Sequence, residues 1–145
     1  MSRAGKIDSK NIILTPDHIK GLMIKLARLN VNDVVLDTCT GSGGFLMEAM
    51  EKMINLAKGD EKKIENIKNH QLIGFETDSV LFALACSNMF LHGDGRTNLI
   101  YRSSLLNDKS GSVVNSTDDD LLNYIRKMKP TKCIINPPYE NNYPI

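Results

Sequence analysis

Four short apolar runs alternate along this chain with longer segments of helical periodicity, and this alternation limits the possible folds more than any other feature. The runs contain three or four residues each and lie at 34–36, 72–75, 99–101 and 133–135. Short continuous apolar runs are typical of strands buried on both faces, as in a parallel sheet. Strands that alternate with helices form βαβ units. The sequence therefore predicts an α/β fold, with a mostly parallel sheet flanked by helices.

The first helix is predicted between residues 15 and 30. Thr15 is expected to be its N-cap, and Pro16 occupies the first helical position, where a missing backbone N–H costs nothing. Its apolar residues recur at helical spacing and predict a core face made of Ile19, Leu22, Met23 and Leu26.

Three further helices have clear end signals. The glycines at 41–44 lead into a helix that ends before Gly59 and whose predicted core positions are Leu46, Ala49, Met50, Met53 and Ala57. Asp78 caps the next helix, which Gly93 closes. Its apolar positions include Leu81, Leu84, Ala85, Met89 and Leu91. Thr117 and Asp120 have the spacing of a capping box and mark the start of the last predicted helix. The charged residues 60–70 predict a surface insertion with room for one short helix.

Composition excludes several classes of protein. The 145 residues correspond to one domain or a part of one. With 18 basic and 17 acidic side chains the net charge is +1, so the chain lacks the basic footprint of a free-standing nucleic-acid binder. Apolar and charged fractions of 41% and 24% exclude disorder, collagen and coiled coil. No apolar stretch approaches a membrane span, so a cytoplasmic location is expected. The scattered cysteines and histidines predict neither a disulfide framework nor a metal site.

Polar residues follow the predicted strands. Asp37, Glu76 and Asn136 come directly after three of them, and Ser103 lies near the end of the remaining one. In parallel α/β sheets, ligands bind outside the carboxyl ends of the strands, where the strand order reverses. These four residues are therefore expected at the ligand-binding edge of the sheet.

The turn at 37–45 has the glycines of a ligand-binding connection between a strand and a helix. A dinucleotide fingerprint would require glycine where Leu46 stands, and the Gly-Lys-Ser/Thr of a P-loop is absent. Asp37 would repel a pyrophosphate but favour a cationic ligand. Glu76 is placed to accept hydrogen bonds from ribose hydroxyls. A nucleoside with a positive tail, such as S-adenosylmethionine, satisfies both carboxylates; the alternative is an ordinary glycine-rich connection.

The segment Asn136-Pro137-Pro138-Tyr139 follows the last predicted strand. The prolines stiffen its backbone. The Asn136 side-chain oxygen and the Pro137 carbonyl can both accept hydrogen bonds from one planar amino group, which would favour a pyramidal nitrogen with a usable lone pair. Tyr139 can stack on an extruded base, a contact worth about 1–3 kcal/mol. The alternative interpretation is a rigid surface turn.

These motifs together resemble the amino-methyltransferases with a Rossmann-like fold, and most of all the adenine-N6 DNA methylation subunit of type I restriction-modification systems. The resemblance covers nearly the whole chain. It is carried by five segments in the family's order: Thr15-Pro16, 37–46, 74–78, 88–93 and 136–139. The Asn-Pro-Pro-Tyr element alone is shared with glutamine and guanine methyltransferases, whereas the combination is far more specific.

The resemblance implies a role for each matching position. Thr15 and Pro16 would border the methionine part of S-adenosylmethionine. The turn would hold its amino-acid end, and Glu76 its ribose. Asp37, Gly41 and Gly43 are the matching positions, and Thr38 and Ser42 belong to the same predicted cofactor-binding turn. The segment 136–139 would receive a flipped adenine. Two positions depart from the family pattern: Thr38 replaces a common proline, and Ser103 and Ser104 stand where an aspartate usually contacts the cofactor's adenine.

The family fold has about seven strands, and this sequence supplies four. We therefore expect a partial catalytic domain, with an N-terminal helix at 15–30, a cofactor-binding part at 31–103 and the start of the catalytic part at 117–145. The parent enzyme would methylate adenine N6 in DNA beside specificity and restriction subunits, while the isolated fragment is expected to be inactive. Alternatives are a non-catalytic cofactor-binding or assembly fragment, and a methyltransferase acting on protein glutamine or an RNA base.

Overall fold

A parallel four-stranded sheet organises the part of the chain that the computed structural model describes, residues 15–93, 98–105 and 117–138. The elements in chain order are α1 Asp17–Ala27, β1 Val35–Asp37, α2 Gly44–Leu56, α3 Glu61–His70, β2 Leu72–Glu76, α4 Ser79–Leu91, β3 Asn98–Tyr101, α5 Asp118–Met128 and β4 Lys132–Cys133. All three strand pairs are parallel. This arrangement confirms the predicted α/β architecture.

The strand order is β3-β2-β1-β4, so the order reverses between β1 and β4. From β1 at the centre, β2 and β3 are added in turn on one side of the sheet. The chain then returns through α5, and β4 pairs with the other side of β1. Leu36 pairs with Cys133 in this central register. A reversal of this kind opens a crevice at the carboxyl ends of the two strands.

Two apolar layers cover the sheet. The larger lies around α2, whose five predicted core positions are all buried, and includes Ile24, Ile67 and Met89 from α1, α3 and α4. The smaller lies beneath α5, where Leu121 contacts Ile73 and Phe75 of β2. Leu72 faces the first layer and Ile73 the second, because successive strand residues point to opposite faces.

Helix α1 differs from its prediction in both start and orientation. Its N-cap is Pro16, and no side chain caps it, so the expected cap by Thr15 is wrong. Ile24 is its buried residue, whereas Leu22 and Leu26 are 52% and 70% exposed. The predicted core face therefore points largely outward. The helix has apolar residues on two sides, and periodicity alone does not say which side meets α2.

The other helices match their end signals more closely. Asp78 caps α4 and Thr117 forms the capping box of α5, both as expected. Asp60 caps α3, a helix for which the sequence predicted only room within the charged insertion at 60–70. Helix α4 is apolar all round, and only part of its predicted face is buried: Leu84 and Leu91 are 44% and 78% exposed. Among the described residues, no helix has the length and apolarity that crossing a bilayer would require.

A polar network closes the amino ends of the central strands. The Thr131 hydroxyl donates to Asp33 Oδ1 at 2.8 Å and accepts from the backbone of Val34. The buried amide of Gln71 donates to the Asp33 carbonyl at 2.6 Å and accepts from Asn66 at 2.7 Å. Asp33 is thus buried with its polar groups satisfied, which suits a structural role.

Candidate active site

The structure brings the predicted polar residues to the carboxyl edge of the sheet. Asp37 and Glu76 are the last residues of β1 and β2, and Ser103 lies two residues beyond β3. Asn136 follows β4 by three residues, on the opposite side of the strand-order reversal from Glu76. The predicted stacking residue, Tyr139, lies outside the described residues. This edge therefore carries carboxylates on one side and an amide on the other.

Asp37 is a fully buried carboxyl group. Its Oδ1 accepts a hydrogen bond from the Cys39 N–H at 3.0 Å, while its Oδ2 has no partner among the described residues. The pKa of Asp37 is raised from 3.8 to about 7, chiefly by burial, with a smaller contribution from the Glu76 charge and with the Cys39 hydrogen bond acting in the opposite direction. An ionised carboxylate without a partner is costly in such a place, so Asp37 is suited to a cationic ligand.

The glycine turn has a fixed backbone. The Thr40 hydroxyl donates to the Asp37 carbonyl at 3.1 Å, and the Thr40 N–H reaches across to the Phe75 carbonyl at 3.0 Å. Gly41 and Gly43 have φ values of 56° and 87°, which side chains other than glycine rarely adopt. Helix α2 starts at this turn without a side-chain cap. Its first N–H groups are therefore directed at the turn.

This turn is also in contact with Gly74 and Asn88, two residues for which the sequence predicted no role. Gly74 of β2 lies against Thr40 and Leu46, and a Cβ there would collide with both. The Asn88 side chain donates to the Ser42 carbonyl at 3.0 Å and so fastens α4 to the turn. Glycine inside a strand is the available signal for the first, because it marks a close approach of neighbouring atoms. Asn88 carried no local signal beyond its place in the resemblance.

Glu76 ties β2 to the glycine turn. Its Oε2 accepts from the Gly41 N–H at 2.8 Å, and its Oε1 accepts from the N–H groups of Thr77 and Asp78 at 2.7 and 2.8 Å. A carboxylate has about four acceptor positions, so these three donors leave capacity for a further hydroxyl.

The region after β3 contains a buried cation that sequence reasoning missed. Arg102 is 2% exposed, forms an ion pair with Asp118 and donates to the Thr117 carbonyl at 2.7 Å. It fixes the start of α5 beside the end of β3. The two serines are oriented by backbone groups: Ser103 accepts from the Leu105 N–H at 3.2 Å, and Ser104 donates to the Thr38 carbonyl at 3.3 Å.

Asn136 is joined to the amino end of α1. Its Nδ2 donates to Thr15 Oγ1 at 2.8 Å, across 121 positions of sequence. Pro137 and Pro138 follow as exposed residues, and Pro16 caps α1 beside Thr15. The first helix therefore contributes to the same edge of the sheet as Asp37 and Glu76, although its sequence signals only a helix start.

The model of one protein family, described as N-6 DNA methylase, matches residues 5–144 of this sequence. The chain belongs to the N-6 DNA methylase family. This membership confirms the resemblance that the glycine turn and the Asn-Pro-Pro-Tyr segment indicate.

The chain is also similar to a curated relative and to two solved structures. The type II restriction enzyme and methyltransferase RM.BcgI of Heyndrickxia coagulans is 38% identical over 128 residues, 88% of this chain and 18% of that protein. The chain thus spans less than a fifth of that relative's length. The M protein of the type I restriction enzyme EcoKI shares 24% identity and a TM-score of 0.54 over 58% of this chain and 18% of its own. The structure of the DrdV–DNA complex shares 22% sequence identity and a TM-score of 0.66, over 91% of this chain and 14% of the DrdV chain. At these identities both structures support the fold.

Proposed function

We propose that this N-6 DNA methylase chain is the cofactor-binding and early catalytic part of an enzyme that transfers a methyl group from S-adenosylmethionine to the N6 amino group of adenine in DNA. The observation that supports this most strongly is the edge where β1 and β4 separate, with the partnerless buried oxygen of Asp37 on one strand and Asn136 following the other. The proposed parent protein is the modification subunit of a cytoplasmic restriction-modification system.

The described residues fit S-adenosylmethionine as a ligand. Asp37 Oδ2 would accept from its ammonium group, which supplies the donor that the buried carboxylate lacks. Gly41, Ser42 and Gly43 give the turn a backbone that permits close approach, and Thr15 and Pro16 would border the methionine part. Glu76 has capacity for a ribose hydroxyl. Thr38 would line the amino-acid side with the rest of the turn, and Ser103 would lie on the adenine side. The cofactor, when bound, supplies a methyl group activated on a sulfonium ion.

Asn136 and Pro137 would hold the target amine. The Asn136 side-chain oxygen and the Pro137 carbonyl accept its two hydrogens and direct the nitrogen lone pair at the methyl group. Such alignment of reacting atoms can contribute roughly 7–11 kcal/mol to lowering a barrier. Pro138 keeps this backbone segment stiff, and Tyr139 would stack on the flipped base. No strong general base is required, because methylation makes the nitrogen a cation whose acidic proton passes to water, while the sulfur leaves as a neutral thioether.

The proposed partners are DNA and the specificity and restriction subunits of the same system. A net charge of +1 is consistent with a subunit whose partners supply part of the contact with the DNA phosphates. The same charge fits a methyltransferase that acts on glutamine in a protein, so the substrate class is part of the test below.

Calorimetric titration with S-adenosylmethionine tests the division of roles. Asp37→Ala should weaken binding strongly, whereas Asn136→Ala should largely preserve it. Equal losses from both substitutions would contradict the assignment. If no variant, including the wild type, binds the cofactor, the chain is a non-catalytic assembly fragment.

Transfer of tritiated methyl groups tests the substrate. The complete polypeptide in which this sequence occurs is offered duplex DNA, an RNA of the same sequence and a glutamine-bearing peptide. We expect label in adenine of the DNA and little in the other two. We also expect the 145 residues alone to be inactive or nearly so; turnover by them at the rate of the complete enzyme would contradict the proposal that they form part of the catalytic domain.

A further inference from the structure

We infer that Thr15 is a positioning residue that holds the Asn136 amide in the orientation required to accept from the target amine, an inference that rests on the proposed function. The resemblance to known methyltransferases places Thr15 only beside the cofactor. The structure adds the hydrogen bond from Asn136 Nδ2 to Thr15 Oγ1. Thr15 would therefore act on the target side of the reaction as well as on the cofactor side.

An asparagine in this position needs such a partner. Its terminal torsion angle has a broad energy profile, so the backbone does not fix which end of the amide points where. Pro137 stiffens the main chain after Asn136 but leaves this rotation open. A partner that accepts from Nδ2 places Oδ1 on the other side of the amide. If the amide turned over, its NH2 group would face an amine that is itself a donor, and the two could not form the proposed hydrogen bond.

Thr15 is available for this contact because it does not cap α1. Pro16 is the N-cap, and the helix has no side-chain capping bond. The helix itself is anchored, since Ile24 is buried in the same apolar layer as α2. The side chain of Lys20 lies against Gly44, at the start of α2. The amino end of α1 thus contacts the glycine turn through one residue and Asn136 through another, which gives Thr15 a defined position between both halves of the site.

Three substitutions test the inference. Thr15→Val keeps the shape of the side chain and removes the acceptor, while Thr15→Ser keeps the hydroxyl. Thr131→Val is the matched control, because it removes a hydroxyl that forms hydrogen bonds at the opposite end of the sheet. The first readout is the solvent exchange of the Asn136 Nδ2 protons in the ¹⁵N-labelled chain, with the signal assigned through Asn136→Asp. The second is methyl transfer to duplex DNA by the complete polypeptide.

We expect Thr15→Val to increase Nδ2 proton exchange and to lower kcat, each by about tenfold, as suits the loss of one hydrogen bond. The dissociation constant for S-adenosylmethionine should change less than kcat, since valine keeps the methyl group of threonine. Thr15→Ser should show wild-type Nδ2 proton exchange and wild-type kcat. Thr131→Val should lower the melting temperature and leave the proton exchange and kcat unchanged.

Each contrary result has a definite meaning. Wild-type exchange and kcat in Thr15→Val would overturn the inference while leaving the proposed function intact. A defect in Thr131→Val equal to that in Thr15→Val would overturn it too, because the effect would then be one of general stability. A serine variant as impaired as the valine variant would exclude the hydroxyl as the cause. A wild-type enzyme that does not methylate DNA adenine would refute the proposed function and the inference together.

Discussion

Replacing Asp37 by asparagine should stabilise the ligand-free chain at neutral and alkaline pH. The carboxyl group is fully buried, and its Oδ2 has no partner among the described residues. Asparagine has nearly the same shape, can keep the acceptor for the Cys39 N–H, and carries no charge to desolvate. The substitution should at the same time weaken binding of S-adenosylmethionine, because the carboxylate that would meet the ammonium group is lost.

The magnitude follows from the pKa of Asp37. That pKa is about 7 in the folded chain against an ordinary 3.8, so the unfolded chain releases the proton first as the pH rises. The contribution of Asp37 to stability is therefore favourable at low pH, falls between about pH 4 and 7, and is constant above that range. Three pKa units correspond to about 4 kcal/mol, which is the upper limit of the gain expected for Asp37→Asn at pH 8. Near pH 4 the two proteins should be almost equally stable.

Urea denaturation followed by circular dichroism at pH 4, 5, 6, 7 and 8 measures this difference. The matched control is Asp33→Asn at the other end of β1, where the carboxylate accepts from Thr131 and Asn30. That variant should be less stable than the wild type at neutral pH, because an amide NH2 group would face donors. A stability difference for Asp37→Asn that is flat across pH, or that favours the wild type at pH 8, would refute the reasoning.

Three other substitutions follow from contacts in the fold. Gly74→Ala should destabilise the chain by about 1–3 kcal/mol in denaturant titration, because its Cβ would collide with Leu46; wild-type stability would show that the glycine is not needed for packing. Asn88→Ala should lower the calorimetric affinity for S-adenosylmethionine by about fivefold through release of the Ser42 carbonyl, the effect of one hydrogen bond; an unchanged affinity would separate α4 from the turn. Gln71→Leu should cost at least about 2 kcal/mol in thermal unfolding, since it leaves buried carbonyls without donors, and a neutral result would contradict the role of the network.

Local signals predicted most of the fold. Capping residues and glycines act within a few positions of sequence, which is why the starts of α4 and α5 and the turn before α2 agree with prediction. The face of α1 was wrong because both sides of the helix carry apolar residues, and the choice depends on contacts with α2. The strand boundaries differ from the predicted ones by one or two positions: β1 includes Asp37, and β4 ends at Cys133 rather than at residue 135.

The candidate site was predicted as a set of positions, without its hydrogen bonds. Asp37, Glu76 and Asn136 lie at one edge because parallel strands all end there. The partners of these side chains come from distant segments, as with Thr15 for Asn136 and Gly41 for Glu76, and no spacing rule identifies them. The buried position of Arg102 was not predictable for the same reason, because its two acceptors lie 15 and 16 residues away at the start of α5.

The polar network formed by Asp33, Gln71 and Thr131 has a practical consequence for protein engineering. It secures the strands at the rim farthest from the proposed reaction centre. Mutant libraries directed at base preference can therefore be confined to the carboxyl rim, while thermostable backgrounds are sought separately at the amino rim. Improvements from the two searches should combine additively, because substitutions at well-separated sites without shared contacts rarely influence one another.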